Sequence, residues 1–282
     1  MEYKTIISAD ELKSIIDQDN VRVFDCRFSL KDPQGGLKSY QSGHLPSAQF
    51  ADMDTQLSSA MTETSGRHPL PDAGVFQAQL KAWGINNDTQ VIAYDDISGA
   101  FAARLWWMMR WMGHDKVAVL DGGMQQWTQQ GLPLSKDDVE FPEGGFSGSA
   151  KMDWLVDIQT VITKLAANKV TLIDARAADR FTGKDKNTDP VPGHVPGANN
   201  LPFAGNLTKE GLFETPDIIN QRFANIIQDQ PLTNVVNMCG SGVTACHNLL
   251  ALAVAGAPPT KIFIGSWSQW IRDPSRPVDS VD

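Results

Sequence analysis

The sequence predicts an α/β protein made of two tandem domains of one kind, each a mostly parallel sheet covered by helices on both faces. Three observations lead to this prediction. Segments of the first half recur in order in the second half, the strand-like segments are continuously apolar, and helical patterns separate them. Strands of a parallel sheet show such apolar runs because helices bury both of their faces.

Four pairs of segments carry the internal repeat. They are VFDCR at 23–27 and LIDAR at 172–176, GHLPSA at 43–48 and GHVPGA at 193–198, QVIAYDD at 90–96 and NVVNMCG at 234–240, and VAVLDGGMQQW at 117–127 and IFIGSWSQW at 262–270. Four matches in one order indicate a tandem duplication. We therefore predict domains over 1–135 and 150–282, joined by a charged, glycine- and serine-rich linker at 136–149.

Predicted strands and helices alternate within each copy of the repeat. The predicted strands are the runs VRVFD, VIAYD, VAVLD, VTLID, VVNM and KIFIG, and the predicted helices cover 9–18, 74–83, 100–112, 154–167, 217–228 and 243–255. The dipeptides Trp83-Gly84 and Ala255-Gly256 indicate helix C-termini, because glycine readily adopts the left-handed conformation that ends a helix.

Composition limits the function classes. The formal net charge of -9 argues against a nucleic-acid or anionic-membrane partner, and no apolar run reaches the 18 or so residues of a membrane span. Three cysteines without a CxxC pair describe neither a disulfide framework nor a zinc site, so we expect no metal and no cofactor. No basic segment precedes an apolar one at the N-terminus, so no secretory signal is predicted. The odd number of cysteines favours the reducing cytoplasm, where a free thiol persists.

Cys239 lies where a strand turns into a helix. It follows VVNM directly, and a helical pattern begins within four residues. Gly240 and Gly242 leave room for backbone N–H groups to turn inward, and such groups at a helix N-terminus stabilise an anion. The pattern favours a nucleophilic thiolate. The alternative is that Cys239 is a small buried hydrophobic residue at a turn.

The segment CGSGVTA at 239–245 resembles the active-site loop of the two-domain rhodanese family. It is closer to the CG(S/T)GVTA loop of the 3-mercaptopyruvate sulfurtransferases than to the loop of thiosulfate sulfurtransferases, which carries basic residues. The repeated D-x-R and GH-x-P-x-A motifs extend the resemblance over nearly the whole chain. The family implies a first domain without a nucleophile. Here Asp95 and Asp96 stand at the matching positions of the first repeat, which leaves Cys239 as the predicted nucleophile.

The resemblance implies a double displacement. Cys239 attacks the outer sulfur of a small-molecule donor, 3-mercaptopyruvate or thiosulfate, and becomes a persulfide. A thiol, thioredoxin or cyanide then accepts the sulfur, as expected of covalent catalysis in two steps. The predicted cradle of the persulfide consists of the backbone N–H groups of Gly240, Ser241, Gly242, Val243 and Thr244.

Both donors are anions and require a cation beside the loop. The family's pattern assigns a structural role to Arg176 and substrate binding to Arg180. Asp189 stands where the 3-mercaptopyruvate enzymes have a second substrate arginine, so part of the expected arginine clamp is missing. Three other cations could replace it: Lys184, Lys186 and Arg67.

A proton-handling set is also implied by the resemblance. His68 and Asp54 match a histidine and an aspartate that act with the loop serine, here Ser241. Release of pyruvate requires protonation of an enolate, and a histidine can supply that proton near neutral pH. The alternative for His68 is a turn residue next to prolines. His44 and His194 occur in both repeats and are interpreted as structural, and Cys246 is expected to face the core.

Three other functions compete with this prediction. A cysteine phosphatase requires an arginine six residues after the nucleophile, where this chain has Ala245, so that function is excluded. A thiosulfate sulfurtransferase and a non-enzymatic persulfide carrier both stay open. The uncharged Gly240 and Ser241 favour mercaptopyruvate as the donor, because thiosulfate enzymes use basic loop residues to hold the dianion.

Overall fold

A computed structural model describes residues 2–280 of the chain, which divide into two compact units. Unit 1 consists of residues 2–59, 71–151 and 209–213, and unit 2 consists of residues 60–70, 152–208 and 214–280. The linker predicted at 136–149 thus belongs to unit 1, and the segment 60–70, which carries Arg67 and His68, belongs to unit 2.

Unit 1 contains a five-stranded parallel sheet. Its strands are β1 (Ile6–Ile7), β2 (Val21–Asp25), β3 (Ala48–Phe50), β4 (Gln90–Tyr94) and β5 (Val117–Leu120), in the order β1-β5-β4-β2-β3. Every residue of β2, β4 and β5 is buried, as the continuously apolar runs predict. The helices are α1 (Ala9–Ile15), α2 (Gly35–Ser42), α3 (Ala73–Ala82), α4 (Ala102–Trp111) and α5 (Gly123–Gln129).

Unit 2 contains a four-stranded parallel sheet. Its strands are β6 (Thr171–Asp174), β7 (Asn199–Asn200), β8 (Val235–Met238) and β9 (Lys261–Ile262), in the order β7-β6-β8-β9. Its helices are α6 (Ile158–Ala166), α7 (Ala178–Thr182), α8 (Pro216–Ile227), α9 (Ala245–Val254) and α10 (Ser266–Trp270). In the order of the sheet, β8 and β6 of unit 2 are adjacent strands that correspond to β4 and β2 of unit 1. The fold class of two tandem α/β domains is therefore confirmed.

The helix predicted over 154–167 was too long at its start. Residues Met152–Trp154 form a 3₁₀ turn, Leu155 forms a parallel bridge with Ile262, and the Val156 N–H donates to the Ile262 carbonyl at 2.9 Å. Helix α6 begins only after Asp157, whose carboxylate caps it by accepting from the Thr160 N–H. Pairing with the sheet edge therefore replaces the first helical turn.

The repeated D-x-R and GH motifs form one structural device in each unit. In unit 2, Arg176 donates to Asp174 and also to the carbonyl of Gly193 at 2.9 Å, and His194 stacks on Phe181. In unit 1, Arg27 makes the equivalent bonds to Asp25 and to the Gly43 carbonyl, at 2.7 Å for the latter. The pairing ties the end of the strand to the GH turn, which explains why both motifs recur.

The prediction that His44 and His194 are structural agrees with their contacts. His44 stacks on Tyr40 at 4.0 Å between ring centroids and lies 3.0 Å from the Tyr40 carbonyl oxygen through Nδ1. His194 makes the same pair of contacts with Phe181, at 3.7 and 2.8 Å. Both rings are buried against an aromatic ring and a backbone carbonyl.

Candidate functional site

Cys239 is held at the carboxyl end of β8 by its own backbone. Its N–H donates to the Ser266 hydroxyl at 3.1 Å, and its carbonyl accepts from the Trp267 N–H at 3.0 Å. The next carbonyl, of Gly240, accepts from the Ser268 N–H at 2.8 Å. The cysteine side chain is 2% exposed. The start of α10 therefore fixes where the sulfur is presented.

Ser266 contributes to this geometry and was not predicted from the sequence. It is completely buried and adopts a left-handed backbone conformation with φ of +53°, which is unusual for a residue with a side chain. The matching residue of the first repeat is Gly123, with φ of +59°. The signal available in the sequence was that the repeat replaces a glycine by this serine. A residue with a side chain at a left-handed position usually makes a contact that offsets the backbone strain.

The loop between β8 and α9 has no room for side chains at its glycines. A Cβ on Gly242, whose φ is +77°, would stand 2.5 Å from the Ile264 carbonyl oxygen. A Cβ on Gly240 would stand 2.7 Å from Arg180 Nη2 and 3.2 Å from Arg67 Nη2. Two guanidinium groups therefore lie directly against the backbone of the cysteine loop.

The matching loop of unit 1 holds an anion. Asp95, which stands at the repeat position of Cys239, is fully buried between β4 and α4. Its carboxylate accepts four backbone N–H groups at 2.7–2.9 Å, from Ile97, Gly99, Phe101 and Ala102. Burial nevertheless raises the pKa of Asp95 above its usual value, against the effect of these four donors. In this fold, the loop after the central strand can thus turn its N–H groups toward the strand end and surround one negative group.

The predicted partners His68 and Ser241 are in contact. His68 Nδ1 and the Ser241 hydroxyl oxygen are 2.7 Å apart, and the two side chains are 4% and 5% exposed. The segment that carries His68 is fixed within unit 2, since the Arg67 N–H donates to Ser268 Oγ at 3.0 Å and Gly66 packs closely on Gly265. The histidine therefore reaches the cysteine loop through its serine.

Asp54, the third member of the predicted set, belongs to unit 1. The residue as a whole is largely but not fully exposed, and its N–H donates to the Asp52 carboxylate at 2.8 Å. Partial burial and the neighbouring Asp52 raise its pKa. The role of Asp54 in the proton-handling set stays a prediction.

Three arginines converge on Asp189. Arg180 binds its carboxylate with Nε and Nη2 at 3.0 and 2.9 Å, Arg176 Nη1 lies 3.3 Å away, and Arg67 Nη2 lies 3.8 Å away. The Asp189 side chain is only 3% exposed. From the sequence alone, Asp189 marked the loss of a cation. In the structure it is the buried centre of a cationic cluster.

Arg180 and Arg67, the two outer arginines of the cluster, differ in the hydrogen bonds that their guanidinium groups already make. Arg180 presents its fork to Asp189, whereas Arg67 makes only the longer contact and its buried Nε has no hydrogen-bond acceptor among the described residues. Burial lowers the pKa of Arg67, Asp189 opposes that change, and Arg180 adds to it. Of the cations considered as replacements, Arg67 lies at the loop, and Lys184 and Lys186 are exposed.

Arg176 is the inner arginine of the cluster. Its side chain is completely buried, and it is bound to Asp174, Asp189 and the Gly193 carbonyl. Burial alone would lower its pKa, but Asp174 and then Asp189 raise it above the usual value. These buried contacts are compatible with the structural role that the family's pattern implies for Arg176, which stays a prediction.

Cys246 lies in helix α9 and is fully buried, with its sulfur 3.4 Å from the Gly242 carbonyl oxygen. Within residues 2–280, no cluster of histidine, cysteine and acidic side chains could hold a metal ion, and no helix is long and apolar enough to cross a membrane. Two apolar clefts of unit 2, of about 500 and 380 Å³, are not lined by Cys239.

Comparisons with known proteins find matches along both units of the chain. The family described as "Rhodanese-like domain" matches residues 8–130 and 157–273. A probable 3-mercaptopyruvate sulfurtransferase of Pseudomonas aeruginosa is 43% identical over the full length of both chains. A putative thiosulfate sulfurtransferase of Mycobacterium tuberculosis is 36% identical, over 98% of this chain and 96% of its own. The crystal structure of the 3-mercaptopyruvate sulfotransferase SseA from Escherichia coli superposes with a TM-score of 0.80 at 32% identity, over 94% of this chain and all of that one.

Proposed function

Because the chain belongs to the rhodanese-like domain family, we propose that it is a sulfurtransferase that moves sulfur from 3-mercaptopyruvate through a persulfide on Cys239 to a thiol, thioredoxin or cyanide. The observation that carries the proposal is the loop after β8, which presents one thiol beside two guanidinium groups. A donor carboxylate and a reacting sulfur can be held there side by side.

The first step is attack on the donor. The Cys239 thiolate forms a bond to the sulfur of mercaptopyruvate, and the carbon–sulfur bond breaks with its electron pair, which releases the three-carbon fragment as the enolate of pyruvate. Arg67 holds the donor carboxylate, since its Nε has no acceptor among the described residues and its Nη2 makes only the 3.8 Å contact with Asp189. The enolate then takes a proton on carbon to become pyruvate.

The backbone of the loop stabilises the sulfur intermediate. Asp95 supports this assignment, because the matching loop of unit 1 directs four N–H groups at one carboxylate. In unit 2 the donors proposed for this role are the backbone N–H groups of the cysteine loop, those of Gly240, Ser241, Gly242, Val243 and Thr244. A persulfide anion placed among fixed dipoles requires little reorganisation as it forms and as it is consumed.

His68 and Ser241 supply the proton that the enolate needs. His68→Gln is expected to lower kcat with mercaptopyruvate on the order of 10²-fold, since a positioned acid or base typically contributes that much. Thiosulfate releases sulfite, which needs no proton on carbon, so its turnover is expected to change far less. Parallel steady-state assays measure both values. Equal losses with the two donors would show that His68 only supports the loop.

The donor assignment is tested directly on the wild-type protein. Initial rates of sulfur transfer to cyanide are measured with mercaptopyruvate and with thiosulfate, and the two kcat/KM values are compared. We expect the larger value for mercaptopyruvate. A larger value for thiosulfate would instead identify a thiosulfate sulfurtransferase, the function named for the Mycobacterium tuberculosis relative. Formation of the persulfide without turnover of either donor would favour a carrier module.

The variant Arg180→Ala serves as the second arm of the same assay. The Arg180 guanidinium packs against the backbone of Gly240 and also orients Asp189. We expect kcat/KM to fall with both donors. An unchanged kcat/KM would remove Arg180 from the site.

A further inference from the structure

The buried carboxylate of Asp189 fills a position where a cationic pocket would otherwise accept negative charge. Both of its oxygens are engaged by arginines: Oδ2 by Arg176 at 3.3 Å and Arg180 at 3.0 Å, and Oδ1 by Arg180 at 2.9 Å. Oδ1 also lies 3.8 Å from Arg67. The protein therefore supplies its own anion to the cluster that faces the cysteine loop.

The charges of this cluster nearly cancel. Three guanidinium groups, of Arg67, Arg176 and Arg180, face the two carboxylates of Asp174 and Asp189, which leaves one net positive charge. When Cys239 becomes a thiolate, the cluster together with the sulfur is neutral. A donor with one negative charge then adds one uncompensated charge, and a dianionic donor adds two.

We propose that Asp189 is the specificity-determining residue of the site. Its charge makes the site select donors with a single negative charge and disfavour dianions such as thiosulfate. This inference rests on the proposed sulfur-transfer function. Asp189 repels a donor in proportion to the donor's charge, because the Coulomb energy of two charges is the product of their magnitudes divided by distance and dielectric constant. Asp189 also keeps Arg180 engaged and leaves Arg67 with only the 3.8 Å contact and an Nε that is unpaired within residues 2–280.

The proportionality gives a quantitative expectation. Removing the negative charge of Asp189 stabilises a bound dianion by twice as much free energy as a bound monoanion in the same position. If the affinity for a monoanion rises about tenfold, the affinity for a dianion rises about a hundredfold. A purely structural role for Asp189 predicts no dependence on ligand charge.

Binding is measured without catalysis, in the Cys239→Ser background. Isothermal titration calorimetry with pyruvate as the monoanion and sulfate as the dianion gives the two dissociation constants. The variants are Asp189→Asn, which removes the charge at nearly constant shape, and Asp189→Glu, which keeps it. Asp229→Asn is the matched control, because it removes one exposed carboxylate of unit 2 and changes the net charge equally.

We expect Asp189→Asn to tighten sulfate binding by the square of the factor found for pyruvate, and Asp189→Glu and Asp229→Asn to leave the ratio of the two affinities as in the wild type. Three results would each overturn the proposal: an equal gain in affinity for pyruvate and sulfate, no change in either affinity, or the same change in the affinity ratio in Asp189→Glu. If Asp189→Asn alone does not fold, the double variant Asp189→Asn/Arg180→Gln is compared with the single variant Arg180→Gln. The gain in sulfate affinity is again expected to be the square of the gain in pyruvate affinity.

Turnover of the variants with an intact cysteine separates this inference from the function on which it rests. We expect Asp189→Asn to raise the thiosulfate-to-mercaptopyruvate ratio of kcat/KM about tenfold. A wild-type enzyme that turns over mercaptopyruvate while the ratio stays constant contradicts only the role of Asp189. A wild-type protein that transfers sulfur from neither donor contradicts the proposed function, whatever the calorimetry shows.

Discussion

Replacing Cys239 by serine is expected to abolish sulfur transfer from both donors, by a factor on the order of 10⁴ or more, while the protein stays folded. The reason is chemical. A serine hydroxyl is not ionised near neutral pH and forms no persulfide, so neither half of the double displacement can proceed. The change is nearly isosteric and leaves the backbone bonds of residue 239 to Ser266 and Trp267 in place.

Intact mass spectrometry gives the most direct measurement. After treatment with donor, the wild-type mass is expected to rise by one sulfur atom and to return when a thiol is added, and Cys239→Ser is expected to show no increase. Cys246→Ala is the control, because this second cysteine of the loop region is buried in α9. An increase that persists in Cys239→Ser, or disappears in Cys246→Ala, would contradict the assignment of the nucleophile.

Arg176→Leu is expected to destabilise the protein by about 3–5 kcal/mol, the range for removing one partner of a buried ion pair. Asp174 is completely buried and would lose its counter-ion, and the Gly193 carbonyl would lose its donor. The more exposed Arg180 serves as the comparison. Its side chain is 17% exposed, so we expect Arg180→Leu to cost much less stability and to act on turnover instead.

Urea denaturation followed by tryptophan fluorescence measures the free energy of unfolding. The indole of Trp267 lies 4.9 Å from the guanidinium carbon of Arg176, so unfolding of unit 2 changes its environment. A loss below about 1 kcal/mol for Arg176→Leu, or equal losses for the two variants, would show that the buried pair is not what holds the strand end to the GH turn.

Much of the fold follows from local pattern. Strands such as β4 and β8 were predictable because burial on both faces of a parallel sheet requires continuous apolar runs, and the glycines at 84 and 256 end helices in the left-handed conformation. The start of α6 was not predictable from pattern. Whether residues 155 and 156 join a helix or the sheet depends on β9, more than a hundred residues away.

The sequence by itself determined the duplicated α/β architecture, the position of Cys239 at a strand end, and the two glycines that keep positions 240 and 242 of its loop without side chains. These features depend on neighbouring residues or on a repeat that is visible in the chain. Only the tertiary structure decided which groups surround the sulfur. Arg67, Asp189 and Ser266 come from distant parts of the chain, and the ionic balance of the site depends on distances of a few ångströms between them.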